Sequence, residues 1–248
     1  MKTILLFLLF TTQYLFALIS ITPVEIGENP GLHTKINASL ETKRGNTDRD
    51  NYKAGTRIAY DNNTTYVTWM ELSGEYGKSN SIENTNKLFM HIRYIHAVTK
   101  ENIRAEALAQ IQNDKFKLIN ERTLAGGGLR FKVFDTIKNS KGYFGVGAFY
   151  EHISYTSNDP IENNLIMNNY LAYTMTFPNG ALFTYTFYYQ PMISNFGDYI
   201  QSHKAQLKLN IYERLYLSFK LSYDYDSVPP QGIGKYDFYQ ETAFIFEF

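Results

Sequence analysis

The chain has 248 residues, with 24 Lys and Arg against 24 Asp and Glu and no cysteine. The balanced charge supplies no field to draw it onto nucleic acid, and without thiols neither disulfides nor cysteine metal sites can form. Its 21 Tyr and 18 Phe, an aromatic share of 16%, are residues that favour strands and membrane interfaces.

The first residues, Met1 to about Ala17, read as a secretory signal: Lys2 is the positive start, Ile4 to Phe10 the apolar core, and Ala17 or Ser20 the small residue for cleavage. Thr11, Thr12 and Gln13 interrupt the run, whereas a spanning helix needs about 20 mostly apolar residues. The expected organisation is a signal over 1–20, a short Pro-containing lead over 21–30 and one β-domain over 31–248. With no spanning helix, residence in a membrane would require a closed barrel, since only helices and barrels satisfy every backbone group in lipid.

From Gly31 onward apolar and polar residues alternate. Leu32, Ile36, Ala38 and Leu40 oppose Lys35, Asn37, Ser39 and Glu41 in the first predicted strand, Gly31 to Lys43. Strands follow at about Asn51–Tyr60, Thr65–Glu75, Asn86–Val98, Asn102–Asn113, Ile119–Phe134, Tyr143–Ser154, Ile166–Phe177, Ala181–Met192, Tyr199–Tyr212 and Leu215–Asp226. The third and seventh alternate least cleanly. The last strand carries Phe238, Phe244, Phe246 and Phe248 on one parity and Glu241 and Glu247 on the other.

Twelve strands with short turns on one side (Asp61–Thr64, Thr99–Glu101, Pro178–Gly180, Glu213–Arg214) and longer loops on the other (Gly77–Thr85, Tyr155–Leu165, Ser227–Asp237) predict an all-β, antiparallel transmembrane barrel. Asp135–Gly142 is long for its side. The short turns would be periplasmic and the long loops outside. A series of aromatics ending on Phe248 resembles the final strand of bacterial outer-membrane barrels, so Phe244, Phe246 and Phe248 are the expected assembly signal for the barrel-assembly machinery. Outer-membrane lipid is the other expected partner, and the barrel is expected to be monomeric.

By parity the polar face includes Lys35, Glu41, Lys53, Arg57, Arg93, Arg104, Glu106, Gln110, Arg122, Arg130, Glu151, Lys204, Lys208, Lys220, Asp224, Glu241 and Glu247. These are the lumen candidates. They would either fill the lumen as a cross-strand network or line a narrow path for a solute. Leu217, Phe219 and Leu221 are expected to meet lipid, so Arg there should be costly and Arg at Ser218 or Ser222 mild.

Motifs for chemistry are sparse. His152 and Ser154 share a face, as a base and nucleophile would, but Glu151 lies on the opposite one. Gly126–Gly128 lacks the Lys-Ser/Thr of a phosphate loop. Asp224, Asp226 and Asp237, or Asp48 and Asp50, could approach a divalent cation, yet pairs of carboxylates at loop mouths are ordinarily just solvated. No catalytic residue, cofactor or metal is expected. The competing readings are a lipid-acting esterase or deacylase of the outer membrane, and a soluble secreted β-barrel binding module.

Four stretches carry a family resemblance: Leu221–Asp237, Arg44-Gly45-Asn46-Thr47-Asp48, Arg122-Thr123-Leu124 leading into Gly126–Arg130, and Gly145–His152. In this order they resemble the domain-of-unknown-function 481 family, the YdiY-like salt-induced outer-membrane proteins, over about Gly31 to Phe248. The resemblance implies an outer-membrane barrel with a link to salt or envelope stress and implies no catalytic residue.

Overall fold

A computed structural model describes residues 25–43, 48–99, 102–134, 139–213, 215–230 and 233–246. The signal segment, residues 21–24 of the lead, Glu247 and Phe248 lie outside the described residues. The strands are β1 Gly31–Lys43, β2 Arg49–Asp61, β3 Tyr66–Ser79, β4 Ile82–Ala97, β5 Ile103–Asp114, β6 Ile119–Phe134, β7 Ser140–Tyr155, β8 Glu162–Thr176, β9 Leu182–Met192, β10 Asn195–Tyr212, β11 Leu215–Asp226 and β12 Tyr236–Phe246. They form one antiparallel sheet in chain order, with a 3-10 turn, Lys115–Lys117, between β5 and β6. Among the described residues no ladder joins β12 to β1.

The sheet is nevertheless strongly coiled, because side chains of distant strands meet inside it. Tyr170 on β8 donates to Glu106 on β5 at 2.9 Å, and Lys117 lies 3.4 Å from Asp237 on β12. Strands are about 4.8 Å apart, so a flat sheet would keep these groups out of reach.

Along most of the described strands the apolar parity faces outward and the polar parity inward. Leu32, Ile36, Leu40, Ile58, Leu72, Leu88, Ile92, Ile111, Leu129, Leu165, Leu171, Phe219 and Leu221 are exposed, while Arg93, Arg130, Glu106, His91 and Asp224 are buried. That is the inverse of a water-soluble barrel, whose core is apolar and whose charges are outside. Tyrosines bracket the apolar band. Tyr60, Tyr66 and Tyr94 cluster at one end, and Tyr189, Tyr199 and Tyr225 at the other, with neighbouring centroids 5.5–6.0 Å apart. Tyr66 begins β3 and Tyr76 lies near its other end. The about ten residue steps from one to the other span about 33 Å along the strand, or about 25 Å of height at a 40° tilt, the height of a barrel's lipid belt.

Two connections differ from expectation. Gly77–Thr85 is mostly strand, closed by the two-residue turn Asn80–Ser81 with φ of 49° and 65°. Left-handed conformation at both turn residues matches the twist of the flanking strands, and Asn accepts it readily. Asn80 also ties the hairpin to the preceding loop by reciprocal bonds with Asp48. β10 begins at Asn195, leaving a second two-residue connection at 193–194. The short and long rhythm is therefore weaker than expected, with 156–161 and 227–235 the longer loops on that side.

β3 and β7 alternate poorly in sequence because apolar groups also point inward. Val67, Trp69 and Ile95 form one interior cluster, Leu108, Leu124, Phe149 and Ile166 a second, and Tyr143, Tyr170, Ala172 and Tyr188 a third. Gly145 makes room for the third: a Cβ there would lie 2.0 Å from the Tyr170 ring. The interior is thus a packed core of mixed polarity.

Candidate functional site in the barrel interior

Three levels of interior side chains lie between the two mouths. At the end holding the N-terminal lead, residues 25–27 cross the opening. The Glu25 carboxylate accepts from the Tyr143 hydroxyl at 2.5 Å and lies 3.3 Å from Lys141, 3.5 Å from Lys132 and 4.0 Å from Arg104. Ile26 packs on the Val67–Trp69–Ile95 cluster, and the Gly27 N–H donates to Asp61 at 2.7 Å. The strap therefore runs from β7 to β2 across the lumen. Burial alone would raise the Glu25 carboxyl, but Tyr143, Lys141 and Lys132 outweigh it and hold the group below its ordinary value.

That sign sets a pH window. A depressed carboxyl contributes docking free energy in full above its ordinary value of 4.5 and loses it as pH falls through the lower docked value. The chain has no native thiol, so an Ile26→Cys variant reports strap opening by its labelling rate. Divided by the rate of a free thiol at the same pH, which removes the titration of the thiol itself, labelling should be slow and flat from about pH 8 to 5 and rise below about pH 4; Glu25→Gln should make it faster at pH 7 and flatten the acid rise. A rate unchanged by Glu25→Gln would show that the carboxylate does not hold the strap.

The middle level is the most densely charged. Glu106 lies 3.8 Å from Arg93 and 3.4 Å from Arg130 and accepts from Tyr170. Arg130 stacks over the Tyr143 ring at 4.8 Å, and Arg57 over Trp69 at 4.7 Å. Arg93, Arg130, Trp69 and Tyr188 are each at most 2% exposed. A buried guanidinium needs a counter-charge, and one carboxylate serves two here, so Glu106 is the keystone of the layer. His91 and Gln110 meet at 3.1 Å beside it.

The third level lies at the opposite mouth. Arg122 and Glu151 form a tight ion pair, and Ser202 donates to Asp224. Lys117, carried there by the 3-10 turn that Asp114 caps, reaches Asp237. Burial pulls Lys117 down to about 7 against the nearby Asp237, Asp114 and Asp224. A lysine thus stands among the carboxylates that the sequence offered as a cation site. Between Arg122, Glu151, Tyr155, Glu162, Asp198 and Asp226 a cavity of about 70 Å³ remains.

The lumen candidates therefore separate into groups. Arg57, Arg93, Glu106 and Arg130 build the middle level, Arg122 and Asp224 the upper one, and Arg104 the lower rim, where it donates to the Thr99 carbonyl. Lys204, Lys208 and Lys220 share the inward parity of Ser202, Ser218 and Ser222, with Lys208 over the Tyr216 ring at 3.9 Å. Lys35, Glu41 and Glu241 pair by backbone register with Arg57, Asn51 and Lys220; their side chains lie outside the described residues. Phe244 and Phe246 pair with Leu217 and Leu215, but their side chains too are outside the description. His152 faces outward and shares a bond with Asn163, and Ser154 accepts from Asn120. Glu151 points into the lumen, so the three do not converge. Glu25, Lys117, Tyr170 and Tyr188 were not singled out from the sequence.

A profile described as a protein of unknown function, DUF481, matches residues 36–248. The chain belongs to the DUF481 family. Among solved structures, this DUF481 chain is similar to a bacterial polysaccharide outer membrane secretin at a TM-score of 0.50 and 11% identity, covering 88% of this chain and 80% of that one. It is similar to the NanC porin at a TM-score of 0.50 and 11% identity, covering 82% and 97%. At that identity the likeness is one of fold. No curated protein matches the chain. The apolar exterior, the tyrosine girdles and these barrel relatives together identify an outer-membrane type of β-barrel.

Proposed function

We propose that this DUF481 protein is a monomeric, non-catalytic outer-membrane barrel whose lumen is filled, acting as a structural element of the envelope or as a channel of very low conductance that serves salt or envelope stress. The observation that carries this reading is the middle level, where Arg93, Glu106, Arg130, Tyr170 and Tyr188 meet from β4, β5, β6, β8 and β9. Strands three places apart in the sheet, β5 and β8, touch there. In lipid the free edges of β1 and β12 can be satisfied only by each other, which favours a closed seam after insertion. Export by the 1–20 segment and recognition of the last strand by the barrel-assembly machinery belong to the same reading.

The direct test is a liposome swelling assay on refolded protein together with membrane fractionation. The protein should partition with outer membranes, run faster on a gel before boiling than after, and leave liposomes impermeable to a small pentose. Recovery as a soluble periplasmic protein, or rapid pentose entry, contradicts the proposal.

A further inference from the structure

Inside β2, β3 and β4, the side chains of Arg57, Trp69 and Arg93 form a group whose donors outnumber its acceptors. Arg57 Nη2, the indole Nε1 of Trp69, and Nε and Nη2 of Arg93 are buried with no hydrogen-bond partner. The three are neighbours. Arg57 lies over the Trp69 ring at 4.7 Å, Trp69 faces Arg93 across the β3–β4 ladder, and the two guanidiniums are close enough to repel each other. Indole and guanidinium nitrogens can only donate. Buried donors in folded proteins are ordinarily satisfied, and like charges held together out of water need a counter-charge.

Among the described residues, carboxylates do not supply it. Glu106 is shared by Arg93, Arg130 and Tyr170. Glu71, opposite Arg57 on the ladder, is also faced by Lys204 from β10. Arg57 and Arg93 thus face described carboxylates that each also serve another cation. His91 adds no donor in its neutral form, because Nδ1 meets the Gln110 oxygen and leaves Nε2 with a lone pair. Val67 and Ile95 pack against Trp69 and make the floor apolar, which leaves little polar surface for a large solute.

We propose that Arg57, Trp69 and Arg93 hold a small inorganic anion of halide size, bound by guanidinium N–H groups on one side and the indole N–H on the other. Such an anion accepts from several donors at once and cancels the surplus charge. The site goes beyond the filled-lumen reading and stands independently of whether the barrel conducts.

Trp69 is the only tryptophan, and iodide quenches indole fluorescence on contact. Refolded protein is titrated with iodide at constant ionic strength, with gluconate as the balancing anion, and again in the presence of chloride. Quenching should saturate, and chloride should shift the curve to higher iodide by competition. Arg57→Gln and Arg93→Gln should each raise half-saturation about tenfold or more, the loss of a charge-assisted bond. Arg57→Gln, at the edge of the group, keeps the test usable if Arg93→Gln does not refold. Quenching that rises linearly with iodide and is unmoved by chloride or by Arg57→Gln would mean that water alone meets these donors, and would overturn the proposal. Saturable quenching in a barrel that conducts freely would refute the filled lumen and leave this site intact.

Discussion

Replacing Glu106 with Ala is expected to lower the stability of the folded barrel by about 3–5 kcal/mol, the cost of removing one partner from a buried ionic network. Arg93 and Arg130, each at most 2% exposed, would lose their shared carboxylate, and the Tyr170 hydroxyl its acceptor. Glu106→Gln keeps the shape and an acceptor oxygen for Tyr170 but removes the charge, so it should fall between the wild type and Ala. Urea unfolding in lipid vesicles, read by loss of the fast-migrating band, measures both. An Ala variant within about 0.5 kcal/mol of the wild type would put Glu106 in the class of ordinary surface positions and remove it as the keystone.

Arg at Phe219 or Leu221 should cost about 2–4 kcal/mol if these side chains sit near the bilayer midplane. Both are exposed, at 40% and 45%, on the outer face of β11. The expectation that Arg at Ser218 or Ser222 would be mild is revised by the structure. Each serine is 3% exposed, and Ser218 accepts from Gln206 at 2.7 Å, so a long side chain would overpack the interior. The fair comparison is Ser218→Ala, expected to cost about 1 kcal/mol, the worth of one hydrogen bond. Unfolding in vesicles and in detergent should separate the two faces, and equal small losses for Phe219→Arg and Ser218→Ala would mean that Phe219 does not meet lipid.

Most of the barrel was legible because a strand's period of two repeats across twelve segments, and a shift of one residue would turn every Leu and Ile of a strand inward. That is why Arg57, Arg93, Glu106 and Arg130 could be assigned to the lumen from parity alone. Turn lengths were harder. Asn and Ser near Gly77–Thr85 signal a loop in composition, yet the same residues tolerate the left-handed turn that lets β3 and β4 continue. The interior aromatics were missed for a physical reason: in a barrel, an apolar residue suits either lipid or a packed lumen, and alternation does not say which. Tyr170 and Tyr188 could be placed only when Gly145, two strands' contacts and Glu106 came together in space. The strap was invisible because Glu25 has meaning only beside Tyr143, Lys132 and Lys141, far away in sequence.

Conduction decides between a filled barrel and a pore. Twelve strands about 4.8 Å apart and tilted near 45° give a backbone radius of roughly 13 Å, a bore of about 26 Å between opposite backbones, and side chains reaching about 6–7 Å from each wall take up about half of it. The contacts of Glu106 with Arg93, Arg130 and Tyr170 tie β4, β5, β6 and β8 together inside it, and with Trp69 and Tyr188 almost fully buried there the middle level is filled. Planar-bilayer recording of the refolded protein measures it directly. The filled lumen predicts no steps, or small ones with a weak anion preference that fades as salt screens the Lys and Arg surplus; a large, cation-selective conductance would contradict it.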